Sequence, residues 1–238
     1  MLATPSSENN LAQRLNAVNM RISSAIAQAG RNPASVQLLA VSKTQDAATV
    51  ACAQALGQQH FGENYLDEAL GKINALPKTI IWHYIGHVQS NKTRDIAAHF
   101  SWLHTLERLK IAQRLSLQRS PELPPLQCLI QINISREPQK SGIAAEELLA
   151  LAAAVHALPR LQLRGLMAIP AAAQTAQALA ADFAQMQQLL QQLQTIYPQA
   201  DTLSMGMSAD LEHAIQHGAT MVRIGTDIFG ARPPHSNT

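Results

Sequence analysis

The chain has 238 residues, 47% of them hydrophobic and 14% charged, with a formal net charge of +2. That length and apolar content support one sizeable buried core and exclude a disordered or fibrous chain. The small charge, with no basic run and no aromatic–basic interleaving, excludes an electrostatic nucleic-acid surface.

No uninterrupted apolar stretch is long enough to cross a membrane, and residues 1–10 lack the basic and apolar regions of a secretion signal. A cytoplasmic location with no membrane partner is therefore expected. A helical period over residues 11–29 stops at Gly30 and Pro33, and a charge-free strand follows at 38–42. Helix 47–56 precedes a short strand at 60–62, where Cys52 reads as a small hydrophobe in a reducing compartment. Helix 65–75 precedes strand 80–86, and helix 92–100 precedes strand 102–105. Helix 106–117 leads to strand 126–134, which holds Cys128, and neither cysteine has metal-ligand spacing. Helix 144–158 leads to 161–169, helix 175–197 to 202–206, and helix 211–217 to 221–225.

Eight short strands, each separated from the next by a helix, require parallel pairing. The expected fold is α/β, a single (β/α)8 TIM barrel over residues 1–238 with an extra N-terminal helix. An open doubly wound sheet is the alternative, but no GxGxxG follows any strand. With aromatics at 4%, the core is expected to be Ala, Leu, Ile and Val.

Polar residues gather just after the strands, on the rim where barrels keep their chemistry. Lys43 stands at the mouth of the first strand, where partial desolvation would free its amine for Schiff-base formation. Taken alone it also reads as a surface lysine that follows a strand. Asn64, in Phe61-Gly62-Glu63-Asn64-Tyr65, fits a helix N-cap or a group reaching toward a ligand. His83 and His87 are four apart on a strand and turn, so they would not share a face to hold a metal. His213 and His217 have helical metal spacing but no third ligand, and no metal is expected. Lys140 is a second amine in a polar loop. After strand seven, Met205-Gly206-Met207-Ser208 lies at a strand-to-helix junction, and strand eight ends Arg223-Ile224-Gly225-Thr226. Paired loops of this kind after strands seven and eight form a recurrent phosphate site.

Leu39-Ala40-Val41-Ser42-Lys43, Phe61-Gly62-Glu63-Asn64-Tyr65, Trp82-His83-Tyr84-Ile85-Gly86, Gln89-Ser90-Asn91-Lys92, Lys140-Ser141-Gly142, Leu203 to Ser208 and Val222 to Thr226 occur in this order. Together they resemble the pyridoxal phosphate homeostasis proteins, the YggS/PROSC family of fold-type III cofactor barrels, over nearly the whole length. The resemblance implies that Lys43 holds pyridoxal 5′-phosphate as a Schiff base. It places Ser208, Gly225 and Thr226, with backbone near Met205 and Gly206, at the phosphate. It sets Arg223 opposite the pyridine nitrogen and Asn64 near the ring or its hydroxyl.

An arginine cannot take the pyridine proton, so the ring would be a weak electron sink. Only residues 231–238 follow strand eight, too few for the second domain that brings racemases their opposing base. Tyr65 and His87 are the remaining candidates for one. The reading therefore favours a carrier that stores, buffers or delivers the cofactor, with no catalytic residue and at most weak racemase-like activity. A fold-type III amino-acid racemase is the alternative, and a Schiff-base aldolase acting on sugar phosphates is a third. Cofactor-dependent apo-enzymes are the expected recipients, and a monomer is expected, with a dimer as the alternative.

Overall fold

The computed structural model describes residues 5–172 and 174–230. Residues 1–4 of the stretch read for a secretion signal, and residues 231–238 read as too short for a second domain, lie outside the described residues. Eight parallel strands close into a barrel in chain order. They are β1 (Gln37–Val41), β2 (His60–Glu63), β3 (Ile81–Tyr84), β4 (Trp102–Leu106), β5 (Leu126–Ile132), β6 (Leu161–Ala168), β7 (Thr202–Ser204) and β8 (Met221–Ile224). Closure runs through β1, which pairs Ala40 with Phe61 of β2 on one side and with Ile224 of β8 on the other.

The helices are α1 (Pro5–Gln28), α2 (Ala47–Ala55), α3 (Leu66–Ala75), α4 (Thr93–His99), α5 (Leu109–Gln118), α6 (Leu148–His156), α7 (Ala176–Ile196), α8 (Leu211–Gln216) and α9 (Thr226–Phe229). Short side chains cap two of the starts: Asp46 accepts from the Thr49 amide of α2 at 2.7 Å, and Thr175 accepts from the Ala178 amide of α7 at 3.1 Å. The barrel and the extra N-terminal helix match the expectation, while the four-residue α9 is too short to carry a periodic signal.

Outward-facing strand residues and the inner stripes of the helices form one apolar shell, in which Phe61, Phe100 and Phe183 are fully buried. Each such side chain contributes about 1.5–3 kcal/mol. The stripe Leu11, Leu15, Val18, Ile22 and Ala25 of α1 is buried at helical spacing. It holds α1 against α8 and α9, where Arg14 Nε donates to the Ile228 carbonyl at 2.8 Å. The shell is as aliphatic as expected, but the barrel interior is not. Alternate residues of the strands point His83, His104, Ser204 and Arg223 inward, all buried.

Candidate functional site

The residues expected to hold the cofactor lie at or just beyond the C-terminal ends of four adjoining strands, β7, β8, β1 and β2. Lys43 comes two residues after β1 and Asn64 one residue after β2, and the Ser42 amide donates to the Gly62 carbonyl at 3.0 Å. The Arg223 amide donates to the Gly206 carbonyl at 3.0 Å, joining the β7 and β8 ends. A Cβ on Gly225 would stand 3.3 Å from the Val41 carbonyl oxygen, so this backbone presses against the strand that delivers Lys43.

Lys43 is half-buried, and the chain turns sharply after it, with Thr44 at φ 66°. A β-branched residue in the left-handed region is strained, and such strain persists where surrounding bonds enforce it. Here the Thr44 amide donates to Glu68 Oε1 at 2.7 Å. Beneath lies a buried ionic cluster. Glu63 Oε1 accepts from Ser42 Oγ at 2.6 Å and from Lys72 Nζ at 2.8 Å, and Lys72 Nζ also bonds the Ser42 carbonyl at 2.7 Å. Burial pushes the Glu63 carboxyl above its ordinary value, and Lys72 and Ser42 offset part of that rise. This cluster stiffens the segment that carries Lys43. Its members are 9 to 30 residues apart in sequence, and no local pattern marks them as partners.

Arg223 is 5% exposed. Its Nη1 donates to the Ser204 carbonyl at 2.7 Å and to Ser204 Oγ at 2.8 Å, and Nη2 donates to the Ala168 carbonyl at 2.9 Å. A guanidinium has five N–H groups. The Nε–H and one Nη2–H therefore lack a protein acceptor among the described residues. Among the described residues no carboxylate touches it, and burial, offset in part by the more distant Asp210, lowers its pKa to about 10, which leaves it charged. Asn64 Oδ1 and Thr44 Oγ1 are buried without a protein partner as well. Unsatisfied polar atoms of this kind on one rim fit a polar ligand.

The β7–α8 loop turns at Gly206, φ 93°, where a Cβ would lie 2.6 Å from that of Ala214. Ser208 does not cap α8. Asp210 holds the cap position, and its Oδ1 accepts from the Met207 amide at 2.5 Å. Arg21 of α1 reaches over both phosphate-loop candidates, bonding the Ser208 carbonyl at 2.9 Å, Glu212 Oε1 at 2.7 Å and Asp227 Oδ2 at 2.6 Å. Sequence reasoning missed this arginine because its partners lie about 190 residues away.

Asn64 is not a helix cap either, since α3 starts after Tyr65. Tyr65 and His87 are exposed, and His87 Nδ1 is 3.5 Å from Glu107 Oε1. Lys140 Nζ is tied to Glu137 Oε2 at 2.5 Å and to the Pro170 carbonyl at 3.2 Å. His217 Nδ1 bonds the His213 carbonyl at 2.8 Å, and no group of metal ligands forms among the described residues. No described helix is long and apolar enough to cross a membrane.

Residues 14–233 match the family model described as alanine racemase, N-terminal domain. The chain is 56% identical over 225 residues to the pyridoxal phosphate homeostasis protein of Pseudomonas aeruginosa, covering 94% of this chain and 96% of that one. The structure of PipY from Synechococcus elongatus with PLP bound is 36% identical, covers 92% of this chain and 100% of its own, and superposes with a TM-score of 0.80. Alanine racemase from Corynebacterium glutamicum, at 16% identity and a TM-score of 0.69, shares the fold, and the match spans 97% of this chain and 63% of that one.

Proposed function

The chain belongs to the pyridoxal phosphate homeostasis proteins, within the alanine racemase N-terminal domain family, and on that premise we propose that it binds pyridoxal 5′-phosphate and stores, buffers or delivers it inside the cell. The observation that carries the reading is Arg223, a buried cation with two N–H donors left over at the barrel mouth. The cofactor supplies an aldehyde for Schiff-base attachment and a ring whose electron demand depends on protonation of its nitrogen.

Lys43 provides the attaching amine, positioned by the strained Thr44 turn and the Glu63–Lys72 cluster below it. Arg223 would donate toward the ring nitrogen and, having no acceptor of its own, would leave that nitrogen unprotonated. Asn64 Oδ1, buried and unpartnered, would face the ring or its hydroxyl. Ser208, Gly225 and Thr226, with the Met205–Gly206 backbone, take the phosphate, and Arg21 braces both loops from outside. The whole chain, 1–238, acts as one cofactor-binding domain, a cytoplasmic monomer that hands cofactor to apo-enzymes. Lys140, at the β5–α6 rim, assists release as a second amine.

A carrier needs a held ring and no opposing base. Tyr65, 56% exposed, and the exposed His87 do not make a buried proton donor on a second face. The amino-acid racemase reading predicts α-hydrogen exchange with solvent at useful rates, and the carrier reading predicts none. The deciding experiment is the absorption spectrum of the purified protein, then borohydride trapping and peptide mapping. A visible band and a label on Lys43, both lost in Lys43→Ala, support the proposal. A colourless protein, or a label that persists in the variant, overturns it.

A further inference from the structure

A line of imidazoles crosses the barrel interior behind Arg223. His60 Nδ1 lies 2.9 Å from His83 Nε2, His83 Nδ1 lies 2.9 Å from His104 Nε2, and His104 Nδ1 lies 3.1 Å from Ser204 Oγ. Strands β4 and β7 are not neighbours, so the last contact spans the lumen itself. Ser204 Oγ then accepts from Arg223 Nη1 at 2.8 Å. His83, His104 and Ser204 are fully buried. At the far end His60, first residue of β2, opens on a cavity of about 360 Å³ at the N-terminal mouth, lined also by Trp102, Arg164 and Thr202.

The arginine end sets the direction of every bond in the line. A guanidinium only donates, so Ser204 Oγ is an acceptor for Arg223 and its own proton must go elsewhere. Its other side-chain partner among the described residues is His104 Nδ1. His104 therefore carries its proton on Nε2 and gives that bond to His83 Nδ1. His83 likewise carries Nε2–H and donates to His60 Nδ1. The reversed line would bury the Ser204 hydroxyl proton without an acceptor, which disfavours it by about tenfold or more. A charged imidazole at His83 would face the His104 N–H with another N–H, so the line is neutral throughout.

We propose that Ser204, His104, His83 and His60 are positioning residues for Arg223, a line of aligned neutral tautomers whose acceptor ends all point toward the guanidinium. The line fixes the pose of Arg223 and adds to the longer-range support its charge receives from Asp210, where no described carboxylate is in bonding contact with it. It carries orientation and not protons, because the guanidinium at its head stays charged and neither releases nor takes up a proton near neutral pH.

The test uses nitrogen–proton correlation spectra of protein with ¹⁵N-labelled histidine, free of cofactor, with resonances assigned through His83→Gln and His104→Gln. The expected result is the neutral Nε2–H form at both His83 and His104. Ser204→Ala should release the line into mixed tautomers, and Ser204→Thr, which keeps the hydroxyl, should restore it. An Nδ1–H form at either residue in the unmodified protein, or tautomers unchanged in Ser204→Ala, overturns the proposal. Should the alanine variant not fold, the unmodified protein's spectrum still decides.

A second arm rests on the cofactor reading. Ser204→Ala should weaken retention of pyridoxal 5′-phosphate about tenfold or more, with Ser204→Thr near the original value. Unchanged retention in the alanine variant refutes the positioning role. Failure of the unmodified protein to bind pyridoxal 5′-phosphate refutes the cofactor reading instead, and the tautomer spectra then decide the line alone.

Discussion

Acidification from pH 7.5 to 5.5 perturbs the buried imidazoles most directly. Burial holds His83 and His104 well below their ordinary 6.5, and each is pushed lower by a neighbouring group, His104 and His60 for the first and Arg223 for the second. Between 6.5 and those depressed values the unfolded chain binds a proton at each ring and the folded chain does not. Stability therefore rises with pH in that window and is lost as pH falls below 6.5. One unit below 6.5 the loss is about 1.4 kcal/mol per ring, so about 3 kcal/mol for the two. Against a usual total of about 5–15 kcal/mol, that is a large share.

Glu63 acts in the opposite sense. Its raised carboxyl contributes stability that is full below the unfolded value and lost as pH rises through the folded one. The comparison with a variant removes that background. Urea unfolding at constant salt at three pH values should show His83→Gln losing about 1.4 kcal/mol less per unit than the unmodified protein below pH 6.5. Parallel stability–pH lines for the two proteins would refute the reasoning.

Other perturbations have equally definite outcomes. Gly206→Ala adds a methyl group 2.6 Å from Ala214 Cβ at φ 93°, and should cost about 2–4 kcal/mol, read as a lowered thermal midpoint. An unchanged midpoint would contradict it. Lys72→Met strands the Glu63 carboxylate in the core and should cost about 3–5 kcal/mol, most of it recovered in the Lys72→Met/Glu63→Gln double variant. A double variant no more stable than the single one would show that the ion pair does not set the cost. Burial raises the Cys128 thiol to about 12, so an aromatic disulfide reagent at pH 8 should leave it unmodified in the native protein. Rapid labelling of Cys128 in a peptide map would count against that burial.

How much could be read beforehand differs from element to element. The strand candidate at 38–42 and the observed Gln37–Val41 differ by one residue at each end, because a charge-free Val/Leu run between breakers is a local signal. Helix starts were harder. Asn64 and Ser208 have capping side chains, yet the caps fall at Tyr65 and Asp210, since the chain leaves both strands by longer turns than the side chains alone suggest. Lys43, Asn64, Ser208 and Thr226 stand after strand ends and Arg223 near the end of β8, positions visible from the strand pattern, whereas their grouping into one set came from the family resemblance. The Glu63–Lys72 cluster and the Arg21 brace were not legible in the sequence.

Hydrophobic period and breaker placement, both local properties, determined that this chain forms eight strand–helix units and therefore a barrel with a polar C-terminal rim. Closure of that barrel decided everything that depends on residues far apart in sequence meeting across the lumen. His60, His83 and His104 stand on three successive strands, and Ser204 lies 100 residues beyond the last of them. No local pattern marks them as partners. They meet because period-two alternation aims each inward and a closed sheet leaves the inward side chains only one another to satisfy their hydrogen bonds.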